Sequence, residues 1–287
     1  MKISADISAS HLHLAQIHYE NFPVASFFLP RFLRTPVALI YSFARQADDF
    51  ADEGHLSPEQ RLSSLQSFRD ELNLIQAYIR PNNPFFIALH DVIRQYKLPL
   101  QPFYDLLDAF SQDVTQTRYA NFSEIMAYCH LSANPIGTLL LHLYGVVNSN
   151  NIILSNNICS ALQLINFYQD IEIDFNKNEG KNRIYLCQDE MRKYGVTEAH
   201  IQNQLVDENW RNFMQFNIHR AKQLLTTGKP LGYVLKGRVG LEMRAIIAGG
   251  ECIIKKLENC RGDIFKHRPT LNSFDWITIF LKAIFRL

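Results

Sequence analysis

The chain has 287 residues, of which 47% are hydrophobic and 20% are charged. This composition is that of an ordinary globular protein that can bury a large hydrophobic core. The formal net charge at pH 7 is only +1, and the basic residues form no stripe along the sequence. Proteins that bind nucleic acids usually carry a strong basic excess, so we expect no nucleic acid among the partners.

Cysteine usage and the termini bear on where the protein resides. The number of cysteines is odd and none lies in a Cys-x-x-Cys pair, which predicts free thiols in a reducing compartment. The N-terminus lacks the apolar run of a signal peptide. No apolar stretch approaches the ~20 residues that span a bilayer. We therefore predict a cytoplasmic protein that at most touches a membrane surface.

Helical periodicity dominates the sequence, and no convincing run of alternating strand residues occurs. In chain order, the pattern predicts helices over residues 9–20, 35–52, 57–79, 84–95, 100–113, 123–144, 152–175, 197–226, 240–263 and 274–287. The start at residue 57 is well defined, because Ser57-Pro58-Glu59-Gln60 is a capping box with proline in the first turn. A polar stretch over 176–182 predicts a mobile loop. No linker rich in Pro, Gly or Ser divides the chain, so the prediction is one all-α domain over residues 1–287.

Two of the predicted helices carry a row of polar side chains along one face. The first stripe has offsets of 4, 3 and 4 and consists of Tyr41, Arg45, Asp48 and Asp52. The second stripe has offsets of 3, 4 and 4 and consists of Gln163, Asn166, Asp170 and Asp174. A lone Asp-x-x-x-Asp is usually a solvated helix face, but these two helices are otherwise apolar. Buried carboxylates are costly unless they pair or bind metal, so we interpret the stripes as functional.

The spacing of the stripes favours a magnesium site. Carboxylates one helical turn apart, ~6 Å along the axis, can share a cluster of hard cations, and Mg²⁺ prefers oxygen ligands. Two acidic helices facing each other across a cavity would repel diphosphate on their own, but with metal between them they would bind it. Arg45 and Arg183 could supply further cationic contacts. A di-iron site is disfavoured, because the chain has no Glu-x-x-His motif.

At these residues the chain resembles the squalene/phytoene synthase family of all-α prenyl synthases, over most of its length. The motifs that carry the resemblance are Tyr41-x-x-x-Arg45-x-x-Asp48-Asp49-x-x-Asp52, Tyr128-Cys129, Gln163-Leu-x-Asn166-x-x-x-Asp170-x-x-x-Asp174 and Arg183-Ile-Tyr185. The resemblance implies an isoprenoid-synthase-type helical bundle with a central cavity, a prenyl diphosphate substrate and Mg²⁺ as the cofactor. An aromatic lining would suit such a substrate, and the 20 phenylalanines and 12 tyrosines permit one.

The resemblance also implies roles for individual residues. The magnesium-binding residues would be Asp48, Asp52, Asn166, Asp170 and Asp174. The other residues of the diphosphate and substrate site would be Arg45, Arg183, Tyr185, Gln163 and Asn134. Tyr41 and Tyr128 would face the reacting carbons. At Asn134-Pro135 the proline predicts a kink within the helix, with either a freed carbonyl facing the cavity or a packing role alone.

Within the family, the chain is most similar to the bacterial hydroxysqualene synthase branch of the hopanoid pathway. The segments that carry this similarity are Glu20-Asn-Phe-Pro-Val-Ala-Ser26, Ala47-Asp-Asp-Phe-Ala-Asp-Glu-Gly54, Leu131-Ser-Ala-Asn-Pro-Ile-Gly137, Asn166-Phe-Tyr-Gln-Asp170 and Arg268-Pro-Thr-Leu271. The implied reaction ionises presqualene diphosphate, and water captures the cation as hydroxysqualene. A separate synthase would make presqualene diphosphate from farnesyl diphosphate and hand it over.

Two departures from the family pattern bear on this reaction. Gln169 stands where many members have arginine, which removes one cation from the diphosphate region. At Gly249-Gly250 other members place an aromatic residue, so we expect space there that could hold the attacking water.

Two alternatives to this reaction stay open. One is head-to-head condensation of two farnesyl diphosphates to presqualene diphosphate or squalene, although no Gly-rich dinucleotide motif is present for a nicotinamide cofactor. The other is a non-catalytic scaffold protein, against which all four stripe carboxylates argue. The apolar tail over 274–287 either packs against the bundle or lies in a membrane interface.

Overall fold

The computed structural model describes residues 28–177, 182–266 and 268–285. Every regular element in these ranges is a helix, and the pairing between extended residues there is a single parallel bridge from Tyr119 to Cys187. The all-α prediction is confirmed. The predicted helix over 9–20 and the segment from Glu20 to Ser26 lie outside the described residues, as does most of the predicted loop over 176–182.

The described ranges contain thirteen helices, which we number α1 to α13. Those of the first half are α1 (Arg31–Asp52), α2 (Pro58–Gln76), α3 (Pro84–Tyr96), α4 (Gln101–Thr115), α5 (Phe122–Ser132) and α6 (Asn134–Tyr144). Those of the second half are α7 (Ser149–Asn176), α8 (Gln188–Lys193), α9 (Glu198–Gln202), α10 (Glu208–Gly228), α11 (Leu231–Val234), α12 (Gly237–Asn259) and α13 (Ser273–Phe285).

The chain divides into two compact units, and the first comprises residues up to 115 together with 134–152. In this unit α1 packs against α2, α3, α4 and α6. Its core is aromatic: the ring of Phe43 on α1 lies 5.0 Å from Phe103, 5.5 Å from Phe68 and 6.0 Å from Phe86, measured between centroids. Such pairs contribute beyond their buried area, so α1, which carries the first stripe, is firmly held.

The second unit comprises 116–133 and the residues from 153 onward. Here α12 packs against α10, α11 and α13. Close approach of helices depends on glycine at one point in particular. A Cβ atom on Gly228 of α10 would lie 2.5 Å from Ile158 and 2.7 Å from the Leu154 carbonyl, both on α7. Only glycine lets α10 pack this closely on α7, the helix that carries the second stripe.

The predicted helices agree with the structure best where a local signal marks their ends. The capping box is present: Gln60 N–H donates to the Ser57 hydroxyl at 3.3 Å and Ser57 N–H donates to the Gln60 side chain at 2.9 Å. The helix predicted over 123–144 is two helices, with the break at Ala133, just before Asn134-Pro135. The helix predicted over 197–226 was wrong in its middle, since α9 ends at Gln202 and α10 begins at Glu208.

Other sequence-based expectations concern thiols, membrane spans and domain number. None of the five cysteines, all of which lie in the described residues, forms a disulfide, and burial raises the pKa of both Cys129 and Cys187 to about 12. Within the described residues, no helix has the length and apolar character needed to cross a bilayer. The single-domain organisation stays a prediction, because the chain divides into two compact units.

Candidate active site

The first stripe lies on the C-terminal half of α1. Tyr41, at its start, is half-buried, and Asp52, at the last position of the helix, is only 9% exposed. The guanidinium of Arg45 lies 3.6 Å from the carboxylate of Asp48 and 3.0 Å from that of Asp49. On this side of α1, the guanidinium of Arg45 therefore lies beside the carboxylates of Asp48 and Asp49.

A buried arginine on α2 secures the end of α1, and the sequence analysis missed it. Arg61 is only 4% exposed. Its guanidinium donates to the backbone carbonyls of Phe50 (3.3 Å), Ala51 (2.7 Å), Gly54 (2.7 Å) and Leu56 (3.1 Å). Carbonyls at a helix C-terminus lack intrahelical partners and favour a nearby positive charge. Arg61 thus fixes the turn and the loop on either side of Asp52.

Replacing Arg61 by methionine is expected to lower the free energy of unfolding by about 2–3 kcal/mol, because buried carbonyls lose a charged donor. Arg61→Lys should retain only part of this stability, since an ammonium group cannot donate to all four carbonyls that the planar guanidinium reaches. The matched control is Arg69→Met on the same helix, where the guanidinium pairs with the exposed Asp108. That exposed pair should contribute less than ~1 kcal/mol. Urea denaturation followed by circular dichroism measures all three, and equal losses for Arg61→Met and Arg69→Met would contradict the capping role.

The second stripe lies on α7, and its central carboxylate is held by two donors. Asp170 is 9% exposed. The side-chain amide of Asn166, one turn earlier, donates to Asp170 Oδ2 at 2.7 Å. Arg268 donates to both Asp170 oxygens, through Nε to Oδ1 and through Nη2 to Oδ2, the latter at 3.1 Å. Gln163 and Asp174, at the two ends of the stripe, are half-buried.

The sequence did not identify Arg268 as the partner of Asp170. The contact of Gln169, the residue before Asp170, explains how Arg268 is positioned. Gln169 is buried, and its side-chain amide donates to the carbonyl of Pro269, the residue after Arg268. Gln169 indeed removes a cation from α7 itself. Gln169 also anchors the segment whose Arg268 places a guanidinium against Asp170. The only sequence signal was the family-like segment that begins at Arg268.

An aromatic cluster adjoins the second stripe. The rings of Phe167 and Tyr185 stack with centroids 4.0 Å apart and an interplanar angle of 6°. Tyr128 on α5 lies 5.4 Å from Tyr185 and 5.9 Å from Phe167, and Tyr119 stacks on Tyr185 at 5.6 Å. Phe167 lies four residues after Gln163 and three before Asp170 on α7, so it is on the same side of the helix as the polar stripe. Tyr128 and Tyr185 were predicted site residues, whereas Phe167 and Tyr119 were missed.

An extended segment positions Arg183 and Tyr185. Ile184 N–H donates to the Thr117 carbonyl at 3.0 Å, so the segment runs along the stretch before α5. Arg183 is buried, its Nη1 donates to the Tyr185 hydroxyl at 3.2 Å, and its guanidinium carbon lies 5.7 Å from the Tyr185 ring centroid. The structure thus brings both predicted residues into the aromatic cluster, while their contact with diphosphate stays a prediction.

For Asn134 the predicted binding role stays untested, whereas for Gly250 the predicted open space is absent. Asn134 is buried at the first position of α6, which packs against α1, and its role in binding stays a prediction. The expectation of open space at the glycine pair is wrong at Gly250. A Cβ atom there would lie 2.9 Å from Leu162 and 3.0 Å from Leu225. That backbone is closely packed by leucine side chains, so it offers no room for water or for an introduced tyrosine.

The donor chemistry of both stripes fits Mg²⁺. Each stripe offers carboxylate oxygens one turn apart, the second adds the amide oxygen of Asn166, and Asp170 already directs both oxygens at a cation, the guanidinium of Arg268. Within the described ranges, no three acidic, histidine or cysteine side chains gather closely enough to hold a metal by themselves. Additional ligands such as water or diphosphate would therefore be needed, and the metal assignment stays a prediction.

Comparison with known proteins places this architecture. The profile of the squalene/phytoene synthase family matches residues 15–275. A hydroxysqualene synthase from Rhodopseudomonas palustris is 32% identical over 253 residues, which cover 88% of this chain and 84% of that protein. A hydroxysqualene synthase from Zymomonas mobilis is also 32% identical, over 254 residues, covering 87% and 80%. A phytoene synthase from Arthrospira platensis is 26% identical, covering 87% and 83%.

Solved structures agree with the sequence comparison. The crystal structure of a squalene synthase, HpnC, from Alicyclobacillus acidocaldarius superposes with a TM-score of 0.79 at 28% identity and covers 90% of this chain and 97% of that one. A dehydrosqualene synthase superposes with a TM-score of 0.86 at 17% identity, covering 98% and 96%, which supports the fold alone. On the family profile and the two relatives at 32% identity, the chain belongs to the squalene/phytoene synthase family.

Proposed function

We propose that this protein converts presqualene diphosphate and water to hydroxysqualene and diphosphate, in a reaction that depends on Mg²⁺. The observation that carries the chemistry is the second stripe, where Asp170 binds Arg268 beside the stacked rings of Phe167 and Tyr185. An anion-binding region next to a face of aromatic rings suits a substrate that separates into diphosphate and a carbocation. The specific reaction is supported by the two relatives named hydroxysqualene synthase.

In the proposed reaction, the bond between carbon and the diphosphate oxygen breaks and its electron pair leaves with diphosphate. Water then forms the new carbon–oxygen bond and gives up one proton, so no oxidant or reductant is required. Asp48 and Asp52 from the first stripe and Asn166, Asp170 and Asp174 from the second would hold Mg²⁺. When bound, the metal would neutralise charge that grows on the departing diphosphate.

The chain's own cations and rings would do the remaining work. Arg268 would exchange between the Asp170 carboxylate and the diphosphate, since one guanidinium can bind either planar oxygen pair. Arg45 would act similarly beside Asp48. The ring faces of Tyr128, Phe167 and Tyr185 would stabilise the carbocation by cation–π attraction and exclude bulk water from it.

A second candidate reaction is the condensation of prenyl diphosphates. It is supported by the phytoene synthase relative at 26% identity and by the solved squalene synthase at 28% identity. The two reactions differ in substrate, because condensation starts from two molecules with a shorter prenyl chain and the proposed reaction starts from one. Squalene formation by condensation would also need a hydride donor.

Product analysis by mass spectrometry distinguishes the candidates. Purified protein with Mg²⁺ and no nicotinamide cofactor receives presqualene diphosphate in one reaction and farnesyl diphosphate in another. The proposal predicts hydroxysqualene from the first and no product from the second, with loss of turnover when EDTA is added. Presqualene diphosphate formed in the second reaction would assign the chain to condensation. Folded protein that is silent in both reactions would overturn both and favour the scaffold alternative.

A further inference from the structure

The C-terminal helix α13 has an apolar face that is exposed to solvent. This outward face consists of Phe274, Ile277, Thr278, Phe280, Leu281, Ile284 and Phe285. Six of the seven side chains are large and apolar, none is charged, and the exposed fraction is 79% at Phe274 and 59% at Ile277. Contiguous exposed apolar side chains of this kind mark a surface that contacts another apolar phase.

The opposite face of α13 is fixed to α12, so the outward face is held in place. Ile279 is 2% exposed, and Asp275 forms an ion pair with Lys256 of α12. Near the other end of the helix, the Nε of Arg244 donates to the carbonyl of Ala283 at 2.7 Å. The helix is therefore attached at both ends through one side. Its apolar stripe is a fixed surface of the second unit.

The surface that borders α13 carries more positive than negative charge. Lys229 and Lys282 share one carboxylate, that of Glu251, at 2.7 and 3.3 Å. Arg244 and the exposed ring of Tyr233 line the same cleft. Two ammonium groups on one carboxylate leave a net positive charge beside the apolar stripe.

The chain leading into α12 extends this positive surface. Arg244 donates to the Gly232 carbonyl at 2.8 Å as well as to α13, so α11 lies beside the end of α13. The exposed residues Val234, Lys236 and Arg238 follow directly. From residue 229 to 251 the chain has four basic and two acidic residues. A second copy of the chain placed face to face on this surface would bring like charges together, whereas anionic headgroups would be attracted.

We propose that the outward face of α13, with the basic surface beside it, docks on an anionic lipid bilayer. The helix has 13 residues and is shorter than the ~20 that span a bilayer, so it would lie in the plane of the interface with its apolar side chains among the acyl chains. The neighbouring lysines and arginines would lie at headgroup level. Docking itself does not depend on the reaction. Its use for delivery of a membrane-dissolved substrate rests on the proposed function.

The test measures sedimentation of the full chain with vesicles, without any enzymatic assay. Wild-type protein is mixed with vesicles of phosphatidylcholine and phosphatidylglycerol or of phosphatidylcholine alone, and the bound fraction is measured at low and high salt. We expect binding to the anionic vesicles that weakens at least about tenfold at high salt or without anionic lipid. The variant Ile277→Asp/Leu281→Asp should bind the anionic vesicles at least about tenfold more weakly, because two charges enter the apolar face.

A matched double variant controls for nonspecific effects of added charge. Ile153 and Leu205 are 59% and 47% exposed, against 59% and 46% for Ile277 and Leu281, and they lie in the same unit, on α7 and in the loop between α9 and α10. Ile153→Asp/Leu205→Asp should bind vesicles like the wild type. Equal binding of both double variants would overturn the proposal.

Analytical ultracentrifugation tests the other occupant, a second copy. A wild-type dimer that Ile277→Asp/Leu281→Asp dissociates, together with no vesicle binding by the wild type, would assign the surface to self-association and overturn the proposal. If vesicle binding is found and no hydroxysqualene is formed, the docking stands and the proposed reaction fails.

Discussion

Asp170→Asn is expected to lower kcat by about 10²–10³-fold, the largest catalytic effect among the site residues. The substitution keeps the size of the side chain and an oxygen that Arg268 can bind. It removes the negative charge that the proposed function requires for Mg²⁺. Since Asp170 also holds Asn166 and Arg268, the loss affects these two contacts as well. The rate is measured as hydroxysqualene release from presqualene diphosphate.

The control for this variant lies two residues along the same helix. Glu172→Gln removes a half-buried carboxylate whose Oε1 accepts a hydrogen bond at 2.7 Å from the side-chain amide of the exposed Gln204. Its kcat should stay within about twofold of wild type, as expected for a surface change away from the site. Comparable rates for the two variants would show that Asp170 is not part of the reaction centre. Thermal unfolding of both variants separates a catalytic loss from a folding defect.

The largest expected effect on stability is at Arg220, in a buried ionic cluster of the second unit. Its guanidinium bonds both oxygens of Glu190 at 2.7 Å each and lies 3.6 Å from the ring centroid of Phe122 and 4.9 Å from that of Phe216. Burial is the largest influence and lowers the pKa of this guanidinium, but the hydrogen bonds to Glu190 and the charges of Glu190, Tyr168 and Cys187 together outweigh it, so the net pKa is raised. The side chains of the pair are only 16% and 14% exposed.

Arg220→Met should reduce the free energy of unfolding by about 3–5 kcal/mol, because the carboxylate of Glu190 then stays buried without its cation. The double variant Arg220→Met/Glu190→Met should be more stable than Arg220→Met, since no lone buried charge remains. Lys222→Met on the same helix as Arg220 breaks an exposed pair with Glu258 of α12 and should cost less than ~1 kcal/mol. Urea denaturation measures the four proteins. A double variant no more stable than the single one would mean that packing, and not charge, accounts for the loss.

Local chemistry explains what the sequence predicted well. The capping box at Ser57 involves residues within a few positions of one another, so turn chemistry suffices to predict it. The kink expected at Asn134-Pro135 has the right place, although the structure has a full break there. The break between α9 and α10 was missed for a related reason. It depends on Gln204 in a left-handed conformation (φ 53°) and on the Asp207 side chain accepting from Trp210 N–H at 2.9 Å, while the apolar periodicity continues on both sides.

The parts of the site that could not be predicted are long-range contacts. Arg268 lies 98 residues from Asp170, and no spacing rule joins two such positions. The contacts of Arg61 are equally hard to predict, although they are closer in sequence. Its partners are backbone carbonyls, and these leave no pattern in the side chains of the sequence. At Gly250 the absence of a side chain suggested free volume. The leucines that fill this volume come from α7 and α10, and only the packing shows it.

The tie between α7 and the segment at Arg268-Pro269 has a consequence for synthesis of the protein. All of α7 is translated about a hundred residues before its cationic partner, because Arg268 and Asp170 are 98 positions apart. While the chain is still on the ribosome, Asp170 and the amide of Gln169 must remain hydrated or bind other partners. The second stripe can adopt its final arrangement only after residues 268 and 269 have left the exit tunnel. Maturation of this site therefore depends on a segment that is translated about a hundred residues after the acidic helix.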